Sequence, residues 1–286
     1  MSDVRIFEVG PRDGLQNEKA IIPAASKIAL IDLLSEAGFS HIEATSFVSP
    51  KWVPQLADAE EVLTEITRRP GVSYAALTPN LKGFQRALAA KADEVAIFGS
   101  ASETFSQKNI NCSIAESLER FAPVMEAART AGIPVRGYVS CVVGCPYEGD
   151  IAPAAVADVA GKLLAMGCYE ISLGDTIGKG TPETIRAMLE AVVDAVPAEK
   201  LAGHYHDTGD RALDNVKASL AFGLRTFDSA IGGLGGCPYA PDAKGNVSTI
   251  PLVRMLEAEG FDAGLDMDRL LAAQAFLADT VSGGPK

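Results

Sequence analysis

The sequence predicts an α/β protein: a single-domain (β/α)8 TIM barrel with its active site at the C-terminal ends of the strands. Three observations predict it. Short apolar strand patterns alternate with helix-length amphipathic segments along the chain. No shift in composition across the 286 residues marks a domain boundary. The turn after the first strand, Gly10-Pro11-Arg12-Asp13-Gly14, lacks the glycine spacing of a dinucleotide-binding open sheet, which is the competing fold.

Each element has its own local signal. Strands are expected at residues 5–9, 41–44, 73–76, 94–98, 135–142, 170–173, 201–206 and 226–229. The helix at 24–37 carries Ile28, Ile31, Leu33 and Leu34 at helical spacing and stops at Gly38. Helices at 113–131, 153–166 and 210–222 stop at Gly132, Gly167 and Gly223. A glycine just past the last apolar residue is the usual helix stop, because it accepts the left-handed conformation. The helix at 181–196 opens on Thr181-Pro182-Glu183, a cap with proline in the first turn, and stops before Pro197. A C-terminal helical segment packs on the barrel, so the single domain covers residues 1–286. The tail Ser282-Gly283-Gly284-Pro285-Lys286 is expected to be loose.

Composition narrows the function. Hydrophobic residues are 48% and charged residues 22%, a globular balance. The formal net charge of -12 argues against a nucleic-acid partner, so an anionic ligand must be met by local cations or helix N-termini. No apolar run is long enough to span a bilayer, which argues against a membrane partner. Five cysteines with no paired framework, and an N-terminus that enters a strand directly, predict a cytoplasmic location. Cys141 and Cys145 lack a second pair at zinc spacing and read as ordinary buried thiols.

The chemistry gathers around Gly203-His204-Tyr205-His206-Asp207-Thr208, which holds two of the three histidines. On a strand His204 and His206 share one face and Tyr205 takes the other. That is half a metal site, or a pair of hydrogen-bonded core histidines. In a barrel the other half must come from strand ends. Strand one ends in Arg12 and Asp13, strand two in Glu43, Thr45 and Ser46, and strand six in Ser172 and Asp175. After strand eight comes Gly232-Gly233-Leu234-Gly235-Gly236-Cys237-Pro238-Tyr239, then Asn246. Each has a bland reading: Asp13-Gly14 as a turn, Asp175 as a cap, the glycines as a slack loop. Acid, base and ligand groups on several ends of one ring favour a shared site. His204, His206 and Asp13 leave coordination positions open, and Asn246 offers an amide oxygen as a fourth ligand. Without a thiolate in the set, six-coordinate Mg²⁺ or Mn²⁺ fits better than zinc. A non-haem iron oxygenase uses the same three-ligand set, but the alternation of helix and strand speaks against it.

Several long motifs carry a resemblance to one family. They are Ile6-Phe7-Glu8-Val9-Gly10-Pro11-Arg12-Asp13-Gly14-Leu15-Gln16-Asn17-Glu18, Thr45-Ser46-Phe47-Val48-Ser49-Pro50-Lys51-Trp52-Val53-Pro54, Tyr138-Val139-Ser140-Cys141 and Gly144-Cys145-Pro146-Tyr147-Glu148-Gly149. Glu170-Ile171-Ser172-Leu173-Gly174-Asp175-Thr176-Ile177-Gly178 and Gly233-Leu234-Gly235-Gly236-Cys237-Pro238-Tyr239 complete the set. From about Val4 to Glu257 the chain resembles 3-hydroxy-3-methylglutaryl-CoA lyase, and the Cys-Pro-Tyr loop is the most discriminating piece. The resemblance implies a divalent-metal-dependent carbon–carbon lyase of leucine breakdown and ketone-body metabolism. It implies that Asp13, His204, His206 and Asn246 bind the metal. It implies catalytic roles for Arg12, Asp13, Glu43, Asp175, His204 and Cys237. It places Lys19, Lys108, Asn109 and Ser113 near the CoA of an acyl-CoA substrate. A homodimer is left open as the other partner.

The residue types suit that reaction. A bound cation acidifies a coordinated hydroxyl, and Asp13 or His204 can take its proton. Arg12 can hold the enolate oxygen. Cys237, with an ordinary thiol pKa of about 8.5, can protonate the acetyl-CoA carbon. The chain also departs from the family. Tyr205 stands where the family has cysteine, on the far face. Gly209-Asp210-Arg211 replaces Tyr-Gly-Gln, adding an acid and a base at the rim and leaving the acyl group open. Ile231-Gly232-Gly233 has one extra glycine, which loosens the loop. The rivals are a lyase for a longer 3-hydroxy-3-alkylglutaryl-CoA, a barrel synthase running a Claisen condensation, and a non-catalytic binding barrel.

Overall fold

A computed structural model of the protein describes residues 4–236 and 244–282. Eight parallel strands close a barrel: β1 (Arg5–Glu8), β2 (His41–Ser46), β3 (Ser73–Leu77), β4 (Glu94–Ser100), β5 (Val135–Ser140), β6 (Glu170–Asp175), β7 (Leu201–Tyr205) and β8 (Thr226–Ser229). Each strand pairs with its sequence neighbours, and β1 closes on β8 with Glu8 opposite Ser229. The helices are α1 (Ala24–Glu36), α2 (Ala59–Glu65), α3 (Leu81–Ala89), α4 (Glu103–Ile110), α5 (Ile114–Ala131), α6 (Pro153–Met166), α7 (Pro182–Val192), α8 (Ala212–Ala221), α9 (Thr249–Ala258) and α10 (Met267–Ser282).

The helices cover the outer face of these strands, and that face is apolar. The outward residues, among them Ile42, Val139, Ile171 and Leu173, pack with Leu30, Ile31, Val156, Leu163 and Leu189 of the helix layer. Each fully buried Leu or Ile contributes about 1.5–3 kcal/mol, so this layer holds the barrel together. The inward residues are different. Phe7, Val9 and Ala75 form a small apolar floor, with Arg136 Cζ 4.2 Å from the Phe7 ring centre. Beside it the interior is polar: Glu43, Arg136, Ser172, His204 and Asp228 are all buried.

The expected strands are present, with small shifts at their ends. The strand expected to reach residue 142 ends at Ser140, because Cys141 turns to φ 62°. The helix expected at 181–196 ends at Val192, and the next residues form turns before Pro197. The helix expected from residue 210 begins at Ala212, since Asp210 stands at φ 56°. Of the expected loose tail, Ser282 closes α10 and residues 283–286 lie outside the described residues.

Candidate active site

The site begins where β1 ends. The Val9 carbonyl accepts hydrogen bonds from the amides of Arg12 (3.2 Å), Asp13 (2.7 Å) and Gly14 (3.3 Å). These bonds wind Gly10–Gly14 into one wide π-helical turn. The turn buries Arg12 and Asp13 rather than leaving them in a slack loop. Gly10 is required here, because a Cβ would stand 2.5 Å from the Glu8 carboxylate. Glu8 Oε1 accepts from Gly10 N (2.8 Å) and Ile231 N (2.9 Å), and Oε2 accepts from the Thr249 hydroxyl (2.7 Å). One carboxylate therefore ties the Arg12–Asp13 turn to the start of the glycine loop and to α9. Burial pushes that carboxyl up to about 7, against the pull of its three donors.

Asp13 faces the two histidines of β7. His204 Nε2 lies 3.9 Å and His206 Nε2 4.0 Å from Asp13 Oδ2. One donor atom from each residue falls within 4.8 Å of the others. Two donors bound to one cation at ~2.1 Å each stand at most ~4.2 Å apart. The spacing is thus too long for hydrogen bonds and suits a shared ion. Asn246 donates from Nδ2 to Asp13 Oδ2 (2.8 Å) and to the Leu234 carbonyl (3.1 Å). Its amide oxygen is buried without a partner, an acceptor left for a ligand. Gly235 makes room for that amide: at φ 126°, a Cβ there would meet Asn246 Nδ2 at 2.6 Å. Tyr205 points away, as the strand alternation requires, and its hydroxyl lies 2.7 Å from Ser219 on α8.

Charge in the site is arranged around Asp13. Burial opposes its ionisation, but Arg12, both histidines and Asn246 outweigh it and hold the carboxyl down at about 2. Burial and the neighbouring His204 lower His206 to about 4, so its imidazole is neutral and ready to ligate. Arg12 pairs with Asp13 through Nη1 and with Glu43, where Nε lies 2.6 Å from Oε2. The Arg12 guanidinium lies 5.5 Å from the Tyr138 ring centre, and Tyr138 donates to the same Glu43 oxygen (3.2 Å). Burial lowers the Arg12 pKa, but Glu43 and Asp13 overcome it and keep the cation. Burial raises the Glu43 pKa even beside Arg12, and its Oε1 has no partner.

The other expected residues are placed differently. Asp175 is fully buried at the end of β6, with Oδ1 held by Lys179 N (3.1 Å) and Oδ2 by Gly180 N (2.7 Å). It closes the loop after β6, the cap reading of this residue, and burial raises its carboxyl to about 6. Lys19 is exposed in the connection from β1 to α1, and Lys108 and Asn109 are exposed on α4. Ser113 is the N-cap of α5, in a capping box with Glu116. Cys237 lies outside the described residues. Cys141 and Cys145 are buried and free, as ordinary thiols. In the altered segment, Arg211 donates from Nε to the Gly180 carbonyl (3.2 Å) and Asp210 pairs with Lys244.

Two buried residues, Asp228 and Arg136, escaped the sequence reading, and Tyr138 entered it only as part of a family motif. Asp228 on β8 lies 3.0 Å from His204 Nδ1. Arg136 on β5 binds both Asp228 oxygens, and Tyr138 supports Glu43. The available signal was a charged residue at an inward position of a strand, where the barrel offers no water.

Comparison with known proteins bears on this geometry. The HMGL-like family profile matches residues 3–277. The mitochondrial hydroxymethylglutaryl-CoA lyase of Bos taurus is 61% identical over 279 residues, covering 98% of this chain and 86% of that protein. A Pseudomonas aeruginosa 3-hydroxy-3-isohexenylglutaryl-CoA/hydroxy-methylglutaryl-CoA lyase is 58% identical over 270 residues, covering 94% of this chain and 90% of that protein. The crystal structure of HMG-CoA lyase from Brucella melitensis superposes with a TM-score of 0.96 at 59% identity, covering 99% of this chain and 100% of that one.

Proposed function

The chain belongs to the HMGL-like family, and from that premise we propose that it cleaves 3-hydroxy-3-methylglutaryl-CoA to acetoacetate and acetyl-CoA. The observation that carries this reading is the meeting of the Asp13–His204–His206 cluster with the Arg12–Glu43 pair at one end of the barrel. The donor set fits a divalent cation, Mg²⁺ or Mn²⁺, held by Asp13, His204, His206 and the amide oxygen of Asn246. A cation held by these residues would lower the pKa of a substrate hydroxyl and anchor a carboxylate.

The chain's own groups account for the remaining chemistry. Asp13, ionised beside Arg12, accepts the proton of the tertiary hydroxyl. The C2–C3 bond then breaks, the alcohol carbon becomes the ketone of acetoacetate, and the bond electrons pass to the thioester. Arg12, aimed by Glu43, holds the enolate oxygen. Cys237 returns a proton to the acetyl carbon. Lys19, Lys108, Asn109 and Ser113 are assigned to the CoA on sequence resemblance. A cytoplasmic location and a homodimer stand as further parts of this reading; cell fractionation and light scattering test them.

Purified protein with 3-hydroxy-3-methylglutaryl-CoA and Mg²⁺ should release acetoacetate, and absence of product would reject the reaction. A higher kcat/KM for a longer 3-hydroxy-3-alkylglutaryl-CoA would change the substrate and leave the reaction standing.

A further inference from the structure

Four adjacent strands place Arg136 (β5), Ser172 (β6), His204 (β7) and Asp228 (β8) inside the barrel. Asp228 and His204 are register partners on neighbouring strands. Asp228 Oδ2 meets His204 Nδ1 at 3.0 Å, the Ser172 hydroxyl at 2.8 Å and Arg136 Nη1 at 3.0 Å. Its Oδ1 meets Arg136 Nη2 at 2.7 Å. Arg136 is itself held: Nε reaches Glu170 Oε1 at 2.8 Å, Nη1 reaches the Tyr138 hydroxyl at 3.1 Å, and the guanidinium rests over Phe7.

This arrangement leaves the imidazole one choice. Both Asp228 oxygens already accept from the guanidinium, so the carboxylate presents only acceptors. His204 Nδ1 must then be the donor, and in a neutral ring the proton leaves Nε2 bare. The bare nitrogen is the one that faces Asp13.

We propose that Asp228 is a positioning residue: gripped by Arg136 and Ser172, it holds His204 in the Nδ1–H form with Nε2 turned to the cation site. The site is therefore organised before any cation arrives. This rests on the reading of Asp13, His204 and His206 as cation ligands. It goes beyond that reading by assigning a role to residues deeper in the barrel. The competing explanation is that Arg136–Asp228 only plugs the barrel. A plug would stabilise the fold and be indifferent to the imidazole tautomer.

The test needs no lyase turnover. The chain has three histidines, so ¹⁵N-imidazole spectra of the metal-free protein can be assigned by replacing His41 and His206 singly. His204 is expected as the Nδ1–H tautomer in the unsubstituted protein; an Nε2–H tautomer would overturn the proposal. In Asp228→Asn the amide can donate to Nδ1 and should shift His204 toward Nε2–H. Its Mn²⁺ affinity, read by electron paramagnetic resonance, should fall by about 10–100-fold, the usual cost of losing such a partner. A folded Asp228→Asn protein with Mn²⁺ affinity within about twofold of the parent would also overturn it. Should Asp228→Asn not fold, the spectrum of the unsubstituted protein still decides. Correct tautomer and Mn²⁺ binding without acetoacetate release would count against the proposed reaction and leave this assignment in place.

Discussion

Arg12 and Tyr138 share one carboxylate oxygen of Glu43: Arg12 Nε lies 2.6 Å and the Tyr138 hydroxyl 3.2 Å from Glu43 Oε2. Glu43 has no exposed surface and its other oxygen has no partner. The carboxylate therefore acts on Arg12 rather than on solvent, and fixes the plane of the guanidinium.

The first prediction follows from that plane. Glu43→Ala leaves Arg12 held on one side only, by Asp13. Losing one oriented donor to a developing oxyanion costs about 10²–10³ in rate. Glu43→Ala should lower kcat by about that factor with little change in KM. Arg12→Lys should behave alike, since an ammonium cannot span both carboxylates as a planar fork does. Steady-state kinetics decide it, and a kcat within a few-fold of the parent for either variant would refute the role.

The second prediction concerns the cation. Asp13 contributes the oxygen that faces both histidines. Asp13→Ala should remove measurable Mn²⁺ binding by calorimetry while the circular dichroism spectrum is kept. EDTA should abolish turnover of the parent, and added Mg²⁺ or Mn²⁺ should restore it. Full turnover after chelation, with metal content shown to be negligible, would end the idea.

Much of this was legible in the sequence, for definite reasons. Helices that stop at glycine were found, because Gly132 and Gly167 take φ 68° and 107° and mark the end directly. Among those missed, α4 stops at Asn111 (φ 52°) and α3 is followed by Lys91 (φ 65°), so no glycine signals them. The site residues at strand ends were found because polar residues there interrupt apolar runs. Arg136 and Asp228 were not: a charge at an inward strand position was the one signal, and their partners come together only when the barrel closes. Asp175 was found as a polar strand end, but only the folded loop puts its two oxygens on the amides of Lys179 and Gly180.

That placement yields the third prediction. Asp175→Asn swaps one acceptor for an amide that faces a backbone N–H. An orphaned buried donor costs about 1–3 kcal/mol. At pH 8 that cost is opposed by removal of a buried charge, about 3 kcal/mol for a carboxyl raised from 3.8 to about 6. Asp175→Asn should therefore change stability in urea titration at pH 8 by less than about 2 kcal/mol, and gain on the parent as pH rises from 5 to 8. It should turn over more slowly, because the loop at 176–180 is no longer closed; a kcat within a few-fold of the parent would refute that role.

The fourth prediction concerns Glu8 and pH. Burial raises this carboxyl from its ordinary 4.5 to about 7 in the folded protein. A raised carboxyl stabilises the fold most below about 4.5, where both states hold the proton. As pH rises toward 7 the unfolded chain releases its proton first, and that contribution is lost. At 1.36 kcal/mol per pH unit the loss is roughly 3 kcal/mol. Glu94 and Asp175, raised to about 7 and about 6, titrate in the same direction, so the parent curve is a sum. Glu8→Gln isolates one member. Its carbonyl can still accept from Gly10 and Ile231, and its amide can donate to Thr249. The Thr249 proton can turn to Ser229, whose hydroxyl lies 2.8 Å away. Glu8→Gln should therefore fold at pH 8 at least as stably as the parent, and lose less stability between pH 5 and pH 8. Glu8→Ala should be destabilised at both pH values, because two buried amides and one hydroxyl lose their acceptor. It should also be slower, since the Arg12–Asp13 turn is freed from the start of the glycine loop. Urea titrations of the metal-free proteins at the two pH values measure the difference. Equal pH slopes for the parent and Glu8→Gln would show that Glu8 stays ionised in the fold.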